Sequence, residues 1–575
     1  MRVQHTVLKA SAILCLITSL MVGCTPAAEK EKPAATAIPA ATQVLPASAT
    51  KAATTPTAAA TPTGKPKYGG TFRTRDRLAT GFDPHTRTDH TVHQLLSYTH
   101  NRLLEFPQGP EYGFEDFTIR PSLAEKWEIP NATTYIFHLH QGVKFHNIPP
   151  VNGRELVAED VKFSIERKNA VGIAMRYQVE MIDSIECPDK YTVILHMKAP
   201  FAPTMDYLCG DFGEIIAKEA GKKTADGWGD YTLQDTAIGT GPFILKEYVI
   251  SSSTTFVKNP NYWREGLPYL DKVHRIMLED PSTRLAALRA GNIEDMGYLG
   301  YLDPPDYGPM KKSNPNLQYS EGPTLGGYTL FYRCDKPPFN DVRVRRAVAM
   351  AIDRKLWQDA ANMGTGYLNS GPIPPSLGQW VLPIEKMGET KKYFEYHPDD
   401  SKKLLAEAGY PQGFKTTLLS TMGYGPVWAE KTELIKDMLH KVGIEVDIQM
   451  QEYSAWMATT SKGLNYENMA YGRISAITEP DYHLYSFYHP NGGIDRSHLN
   501  DPKLNAMLEK QRVMVDTKQR KALIDEIQLY IADQAIMLYM PVEGRPHPAQ
   551  PWVKNWAASK TYNMGLQVET VWLDR

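Results

Sequence analysis

The sequence predicts an α/β protein whose folded body begins near Tyr68 and divides into two or more lobes. Helical and strand patterns alternate along this body without a tandem repeat, as is typical of an α/β fold. Hydrophobic residues make up 42% of the chain and aromatic residues 10%, so the body can bury a sizeable core. A body of roughly 500 residues exceeds what one core usually organises, and we therefore expect more than one lobe.

The first 66 residues differ in composition from the body. Residues 1–23 have a short basic start and an apolar run too short to span a bilayer, and Cys24 follows directly. This order resembles a bacterial lipoprotein signal, which is cut before the cysteine that is then lipidated. We expect a signal peptide over residues 1–23 and a lipid on Cys24; an ordinary secretory signal is the alternative. Residues 24–66 are rich in Ala, Thr and Pro without an aromatic residue, which predicts a disordered tether.

Two elements of the first half have a clear pattern. Residues 132–146 alternate apolar and polar side chains, which predicts a strand that ends at a turn over Gln141 and Gly142. A helical pattern follows, and Glu159 and Asp160 in its first turn match the positive end of the helix dipole. We therefore interpret this carboxylate pair as structural and not catalytic.

The second half predicts a longer series of helices and strands. One amphipathic helix is predicted to open at Asn340. Two more end at Gly409 and Gly443, because glycine readily adopts the left-handed conformation that stops a helix, and an alternating strand follows over residues 444–450. Thr517 is predicted to cap a last long helix before a short buried strand. The helical residues expected to face the core are Val344, Val348, Ala351, Ile352, Leu523, Ile527 and Ile531.

Charge and motifs argue against several classes of function. The formal net charge of -2 lacks the basic excess that nucleic acid demands, so we expect no nucleic-acid partner. The chain has no GxSxG elbow, no HExxH motif and no P-loop, and its GTGPFI segment lacks the third glycine of a dinucleotide-binding loop. We therefore predict that the protein is not an enzyme and uses no cofactor.

Histidines and cysteines give weaker signals. His90 and His93 are spaced to bind a divalent ion on a helix, but no third ligand of recognised spacing accompanies them. We therefore predict no metal site. The mature chain keeps Cys187, Cys209 and Cys334. Either the first two form a disulfide, which we prefer because they are closest in sequence, or all three remain unpaired and buried.

A series of short motifs recurs here in the order and spacing of one known family. The motifs are YGGTF at Tyr68, FDP at Phe82, RPSLAEKWEI at Arg120, FHLHQGVKFH at Phe137, AEDVKFSIER at Ala158, GTGPFIL at Gly239 and KNPNYW at Lys258, followed by DVRVRRAVAMAIDR, LLAEAGYPQGF and KVGIEVDI. Over residues 68 to 542 the chain resembles the solute-binding proteins of the peptide/nickel class, which serve ABC importers. In that family these motifs are mostly structural.

The resemblance implies a two-lobed fold like that of periplasmic binding proteins, with the ligand in the cleft between the lobes. Lobe I would comprise residues 67–323 together with a returning segment, residues 541–575. Lobe II would comprise residues 324–540. Connecting strands near residues 327–332 and 536–542 would form a hinge, and closure about it would bury the ligand and signal occupancy to the importer.

The resemblance also implies the function and the partners. The protein would capture a small solute, peptide-like or another organic molecule, and deliver it to the permease subunits of an ABC importer. It would be a monomer, held outside the cytoplasm by a lipid on Cys24. An oligosaccharide or a metal chelate as ligand stays open, as does a ligand-sensing receptor or chaperone that imports nothing. A hydrolase built from residues distant in sequence has no support.

Residues 472–490 contain the nearest counterpart of the family's ligand-binding strand end. Peptide-binding relatives carry an aspartate there, three residues before an acidic residue and a proline, and it pairs with the peptide ammonium. Counting back from Glu479 places Ala476 at that position. A buried ammonium without a counter-charge is costly, so we expect a free peptide N-terminus to bind poorly. Arg473, where tryptophan is common, would bind a carboxylate or phosphate, stack on an aromatic ring, or form a structural ion pair.

The remaining candidates are one acidic and several aromatic residues. Glu479 would either line the mouth of the cleft or solvate a loop. One or two aromatic residues of the second lobe would stack on a sugar, an aromatic acid or a heterocycle. The aromatic candidates are Tyr328, Trp380, Tyr424, Trp428 and Trp456.

Overall fold

The computed structural model describes most of the body. The described residues are 64–77, 82–86, 90–114, 116–172, 175–231, 237–297, 300–322, 326–368, 371–424, 426–461, 464–474, 477–544, 546–559, 561 and 564–575. They belong to one compact unit that runs from Ala60 to Arg575. The predicted signal peptide, Cys24 and nearly all of the predicted tether lie outside these ranges. Among the helices of the described ranges, none has the length and apolar character needed to cross a membrane.

Helices and strands alternate along the described chain, as the sequence predicts. The helices are α1 (His90–Leu96), α2 (Ala158–Val171), α3 (Thr204–Cys209), α4 (Pro281–Arg289), α5 (Pro304–Ser313), α6 (Val342–Ala351), α7 (Arg354–Asn362), α8 (Pro398–Glu407), α9 (Pro426–His440), α10 (Tyr453–Ala455), α11 (Pro480–Tyr488), α12 (Pro502–Arg512), α13 (Thr517–Asp533) and α14 (Met564–Val568). Short 3₁₀ turns occur at Arg176–Gln178, Lys218–Ala220, Pro375–Trp380, Ile384–Lys386, Gly388–Phe394 and Met422–Tyr424.

The strands form larger and smaller sheets. They are β1 (Thr71–Asp76), β2 (Leu104–Glu105), β3 (Arg120–Pro121), β4 (Ala124–Asn131), β5 (Thr134–Leu139), β6 (Ile182–Asp189), β7 (Thr192–Met197), β8 (Phe243–Val249), β9 (Ser253–Lys258), β10 (Lys272–Met277), β11 (Gln318–Ser320), β12 (Gly327–Tyr332), β13 (Phe414–Thr421), β14 (Ile444–Gln451), β15 (Met469–Ile474), β16 (Met537–Met540), β17 (His547–Ala549), β18 (Val553–Lys554) and β19 (Trp572–Leu573).

Three sheets organise the described body. The first has the strand order β1-β10-β9-β8, and the second the order β4-β5-β7-β6. The third, here called the five-stranded sheet, has the order β14-β13-β15-β12-β16. Within it β13 runs parallel to both of its neighbours, whereas β12 runs antiparallel to β15 and β16. Strands far apart in sequence therefore meet at the centre of this sheet.

The C-terminal residues pack against the first sheet. Phe72 of β1 and Val273 of β10 share one buried core with Val571 and Leu573 near the end of the chain. In addition, β17 pairs antiparallel with β11. The last part of the chain therefore returns to the region formed by the first strands.

Several predicted elements are confirmed. The alternating stretch forms β5, and Gly142 follows it with a positive φ of 75°. Gly409 and Gly443, which follow α8 and α9, have positive φ values of 95° and 90°. The apolar helix faces expected from the sequence are buried; the residues are Val344, Val348, Ala351, Ile352, Leu523, Ile527 and Ile531.

Two predicted helix starts are wrong, and the reason is the same in both. The helix expected from Asn340 is two helices, because Asp341 caps α6, the chain leaves the helical conformation at Ile352, and Asp353 caps α7. The cap of α13 is Asp516 and not Thr517, since the Asp516 carboxylate accepts a hydrogen bond from the backbone N–H of Gln519. In each case an aspartate carboxylate accepts a hydrogen bond from a backbone N–H of the first helical turn, which is the role of a helix cap.

Candidate functional site

The candidate site lies near the strand ends of the five-stranded sheet, where Tyr328 on β12 pairs directly with Arg473 on β15. The Arg473 guanidinium lies 5.7 Å from the centre of the Tyr328 ring and 5.8 Å from that of Tyr424. Both distances allow a cation–π attraction. The sheet register and the turn after β13 thus bring together three residues that the sequence indicated separately.

Trp428 is the centre of the aromatic cluster, which comprises Tyr328, Tyr424, Trp428, Tyr453, Trp456 and Tyr471. The Trp428 ring centre lies 4.7 Å from that of Tyr424 and 5.2 Å from that of Tyr328, both edge-on. Its ring stacks on Tyr471 at 4.5 Å, and its indole N–H donates to Ser420 Oγ at 2.8 Å. Trp428 is buried, so it fixes the neighbouring tyrosines.

The cluster has a buried base and an accessible edge. Trp456 is completely buried, and its indole N–H donates to the hydroxyl of Tyr424 at 3.3 Å. The Tyr453 ring centre lies 5.6 Å from that of Tyr424, and 43% of Tyr453 is exposed. Tyr424 is half-buried. The two tryptophans therefore support the site, while Tyr424 and Tyr453 offer ring surface to a ligand.

A buried ion pair lies beside Tyr328. The Lys431 ammonium contacts the Glu543 carboxylate and donates to Asn362 Oδ1 at 3.2 Å. The same ammonium lies 4.8 Å from the centre of the Tyr328 ring. Sequence analysis missed this pair because Lys431 and Glu543 are 112 positions apart, and no local motif joins them.

Arg520 contacts both Glu479 and Trp380. Glu479 is completely buried, caps α11 through the backbone N–H of Asp481, and pairs with Arg520 at 2.6 Å. The Arg520 guanidinium lies 5.2 Å from the centre of the Trp380 ring. The interpretation of Glu479 as a residue that solvates a loop is therefore wrong, because a helix cap with a buried guanidinium partner holds it inside the protein.

Glu479 belongs to a carboxylate cluster, formed by Asp206 of α3, Glu479 and Asp481 with Arg512 and Arg520. Arg512 Nε donates to Asp481 Oδ2 at 3.1 Å. Burial, opposed by Arg520 and reinforced by Asp481 and Asp206, raises the pKa of Glu479 to about 8. Burial also raises the pKa of Asp206 to about 6 and the pKa of Asp481. Three carboxylates thus face two guanidiniums, which favours retention of a proton.

Other sequence candidates are settled in part. Ala476, like Cys24, lies outside the described residues. Cys187, Cys209 and Cys334 are unpaired, so the preferred disulfide between the first two is wrong.

His93 and His138 make structural contacts. His93 is buried with Nδ1 at 3.2 Å from the Glu214 carboxylate, and His138 lies 3.0 Å from Glu128 on the neighbouring strand. In the described residues, no group of three or more His, Cys, Asp or Glu side chains is arranged so that it could hold a metal ion.

Comparison with known proteins gives consistent relatives. The chain is 27% identical over 501 residues to "Heme-binding protein A" of Haemophilus influenzae, covering 83% of this chain and 88% of that protein. The structure is similar to the periplasmic binding protein DppA from Helicobacter pylori in complex with the peptide STSA, with a TM-score of 0.70, 27% identity, and coverage of 88% of this chain and 99% of that one. It is also similar to the binding protein AgaA of A. tumefaciens R10 in complex with agropinic acid, with a TM-score of 0.68, 26% identity, and coverage of 88% and 99%.

The family assignment rests on a match to a whole family and not to a single relative. The sequence pattern described as "Bacterial extracellular solute-binding proteins, family 5 Middle" matches residues 118–495, about two thirds of the chain. The solved relatives are periplasmic binding proteins, and their fold is the two-lobed α/β fold seen here. Family and neighbours are binding proteins and not enzymes. The chain therefore belongs to the extracellular solute-binding proteins of family 5, and it captures a solute outside the cytoplasm and delivers it to an ABC importer.

Proposed function

We propose that the solute is an organic molecule with a planar group and an anionic group, bound at the aromatic cluster and Arg473. The single observation that carries this proposal is the position of the Arg473 guanidinium beside the rings of Tyr328 and Tyr424. A guanidinium can stack on a ring through its face and bind a carboxylate through its N–H edge. Tyr424 and the exposed Tyr453 supply surface for a planar group.

The proposed cleft lies between two lobes. We assign residues 67–323 and 541–575 to lobe I and residues 324–540 to lobe II. The shared core of the first strands and the C-terminal residues supports the assignment of the returning segment. Strands β12 and β16, which are neighbours in the five-stranded sheet, are the proposed connections about which the lobes close.

In this proposal the protein is a lipid-anchored monomer without enzymatic activity. Its anchor would be a lipid on Cys24, reached through a tether over residues 24–66 after removal of residues 1–23. The supporting observation is the order of basic start, apolar run and cysteine in the sequence. Such an anchor keeps the binding protein close to the membrane that holds its importer.

A free peptide N-terminus is not the preferred ligand group in this proposal, because alanine occupies the position of the ammonium-binding aspartate in peptide-binding relatives. We therefore predict that Ala476→Asp raises the affinity for a free dipeptide such as Tyr-Glu by at least about tenfold, the scale of one charge-assisted contact. The affinity for N-acetyl-Tyr-Glu should not rise. Calorimetric titration of both peptides measures the difference, and an equal gain for both would contradict the assignment of this position.

The test of the proposed function is to identify a trapped ligand. We expect native mass spectrometry of the gently purified protein to show a bound mass that disappears on unfolding. A ligand with a planar group and an anionic group supports the proposal. A neutral sugar, or a metal complex without a planar organic group, would contradict it. If the protein is purified empty, thermal stabilisation by aromatic acids and N-acetylated peptides supports the proposal, and stronger stabilisation by free peptides or neutral sugars refutes it.

A further inference from the structure

The strand end that carries Arg473 is paired along only one of its two edges. In the described part of the chain, β15 pairs with β12 along residues 469–474 but with β13 only at Met469 and Ala470. Backbone carbonyls beyond Ala470 that point away from β12 therefore need a hydrogen-bond donor from outside the ladder.

Two side chains replace the missing strand partner. Carbonyls two residues apart on a strand point to the same edge, so those of Tyr471 and Arg473 share the edge that β13 no longer pairs with. The Tyr471 carbonyl accepts a hydrogen bond from Ser420 Oγ at 3.3 Å, and the Arg473 carbonyl accepts one from Nη1 of Arg496 at 3.0 Å. Arg496 therefore holds the backbone of Arg473 on this edge.

The Arg496 guanidinium is itself held in place. It lies between two rings, 4.9 Å from the centre of Phe331 on β12 and 5.2 Å from the centre of Phe487 on α11. Its Nη2 donates to Ser461 Oγ at 3.3 Å, and the residue is buried. Contacts from three separate parts of the chain thus fix the guanidinium, as is required of a group that positions another residue.

The backbone of Arg496 is fixed by the turn over residues 495–498. The Asp495 carboxylate accepts hydrogen bonds from the backbone N–H of Ser497 at 3.0 Å and from that of His498 at 3.1 Å. The Tyr466 hydroxyl donates to the Arg496 carbonyl. Both the side chain and the backbone of Arg496 are therefore held by other residues.

Arg496 and the Arg473 side chain lie on opposite faces of the five-stranded sheet. Side chains alternate between the two faces along a strand, so Arg473 shares its face with its partner Tyr328 and not with Phe331. Gly472 lies on the other face, where a Cβ atom would be 3.5 Å from Cε1 of Phe331. Because Arg496 packs on Phe331 and is buried, it acts on a ligand at Arg473 only through the strand between them.

We propose that Arg496 is a positioning residue of the solute site, which holds the strand end so that the Arg473 guanidinium meets an anionic group of the ligand. This inference rests on the proposed function and adds a determinant of affinity that does not touch the ligand. A hydrogen bond from a charged donor is stronger than one from a neutral donor, so Arg496 is suited to hold an unpaired strand edge. Without this bond the strand end and Arg473 would shift, and the contact of Arg473 with the ligand would weaken.

The first experiment compares an anionic probe with a neutral one. The probes are N-acetyl-Tyr-Glu and N-acetyl-Tyr-Gln amide, titrated calorimetrically into protein that has been unfolded in urea and refolded to remove any trapped ligand. Arg496→Met removes the donor but keeps an apolar side chain between the two rings. We expect it to weaken the anionic probe by about threefold to tenfold, approaching the loss expected for Arg473→Ala. The affinity for the neutral probe should not change.

Arg345→Met is the matched control. Arg345 is also a buried arginine that donates to backbone carbonyls, those of Phe339 at 2.7 Å and Gln534 at 3.0 Å, and neither residue belongs to β15. The control should unfold at a lower urea concentration than the unchanged protein but keep its affinity for both probes. Equal weakening of both probes in Arg496→Met, or equal weakening of the anionic probe in the control, would indicate a general loss of structure and overturn the inference.

A second variant covers the case in which Arg496→Met does not fold. Arg496→Lys keeps the charge but loses the planar fork that reaches both Arg473 and Ser461. A loss of about threefold for the anionic probe alone would support the inference. No loss, or an equal loss for both probes, would overturn it.

The second experiment separates this inference from the proposed function. If Arg496 acts through Arg473, adding Arg496→Met to Arg473→Ala should weaken the anionic probe no further, because effects that share one contact are not additive. An additive loss would overturn the inference. A loss in Arg473→Ala without one in Arg496→Met would leave the proposed function standing and overturn this inference alone. Unchanged affinity in Arg473→Ala, or no binding of the anionic probe to the unchanged protein, would overturn both.

Discussion

At the scale of single residues, the cation at the candidate site was easier to predict than its surroundings. The sequence indicates Arg473 because peptide-binding relatives often have tryptophan at this position. Its contact with Tyr328 depends on the register between β12 and β15, and its contact with Tyr424 depends on the turn that follows β13; no local pattern reveals either. Tyr453 was missed for the same reason, since it becomes part of the site only through its contact with Tyr424.

We predict that Arg473→Ala weakens an anionic ligand by at least about tenfold, the scale of one charge-assisted contact. Arg473→Lys should restore part of the affinity, because lysine keeps the charge but loses the planar fork. Calorimetric titration with the extracted ligand measures both. Unchanged affinity in Arg473→Ala would show that Arg473 is structural. The free energy of unfolding of the variant protein should then be lower than that of the unchanged protein.

At the scale of elements, the sequence predicts whether a segment is a helix or a strand better than it predicts where that helix or strand begins and ends. Alternation and apolar periodicity identified β5, β14 and the buried face of α13, because these patterns report burial directly. The break between α6 and α7 was missed because the apolar face continues through Ile352, which is buried although it is not helical. At Ile352 the apolar pattern predicts burial correctly but helix wrongly, because Asp353 caps the next helix directly after it.

Gly472 on β15 shows how tightly the strand and the cluster fit. A Cβ atom at this position would lie 2.8 Å from Cζ2 of Trp456 and 3.5 Å from Cε1 of Phe331. We predict that Gly472→Ala lowers the free energy of unfolding by about 1–3 kcal/mol, because a methyl group would overpack the core. Gly308→Ala on α5 is the control, since no atom lies within 4 Å of its Cβ position.

Urea unfolding of both glycine variants measures this difference. Adding Trp456→Leu to Gly472→Ala should recover part of the loss, since the two residues share one contact and their effects are not additive. Equal stability of the two single variants would contradict the packing argument.

At the scale of the whole molecule, the carboxylate cluster joins parts of the chain assigned to different lobes. Asp206 on α3 belongs to the proposed lobe I, whereas Glu479, Asp481 and Arg520 belong to the proposed lobe II. The same contact region includes the Ala202 N–H, which donates to the backbone carbonyl of Arg512 at 2.7 Å. The sequence could not predict this cluster, because its members are brought together only when the two regions meet.

The cluster predicts a specific dependence of stability on pH. A carboxyl group with a raised pKa binds its proton more tightly in the folded protein, so its contribution is complete below its unfolded pKa and is lost as pH rises through its folded pKa. For Glu479, whose folded pKa is about 8, stability should fall from about pH 4.5 to pH 8 by at most about 1.4 kcal/mol per pH unit.

Urea unfolding at a series of pH values tests this prediction. In Glu479→Gln, a neutral variant of the same shape, the decline should become shallower. Glu467→Gln on the surface should leave the slope unchanged, because the lowered pKa of Glu467 comes from its exposed contact with Lys336. A slope in Glu479→Gln equal to that of the unchanged protein would show that Glu479 does not hold the proton.

The order of strands in the five-stranded sheet also constrains how the chain folds. Tyr328 of β12 pairs with Arg473 and with Met540, residues more than 140 and more than 200 positions further along. Closing loops of this length costs entropy before any contact compensates for it, so folding slows as such contacts dominate. During synthesis β12 can therefore complete its pairing only when almost the entire chain has been made. A chain that stops before Met537 lacks β16, so one edge of β12 has no strand partner. The connection proposed as the hinge therefore lacks one of its two strands until nearly the whole chain has been made.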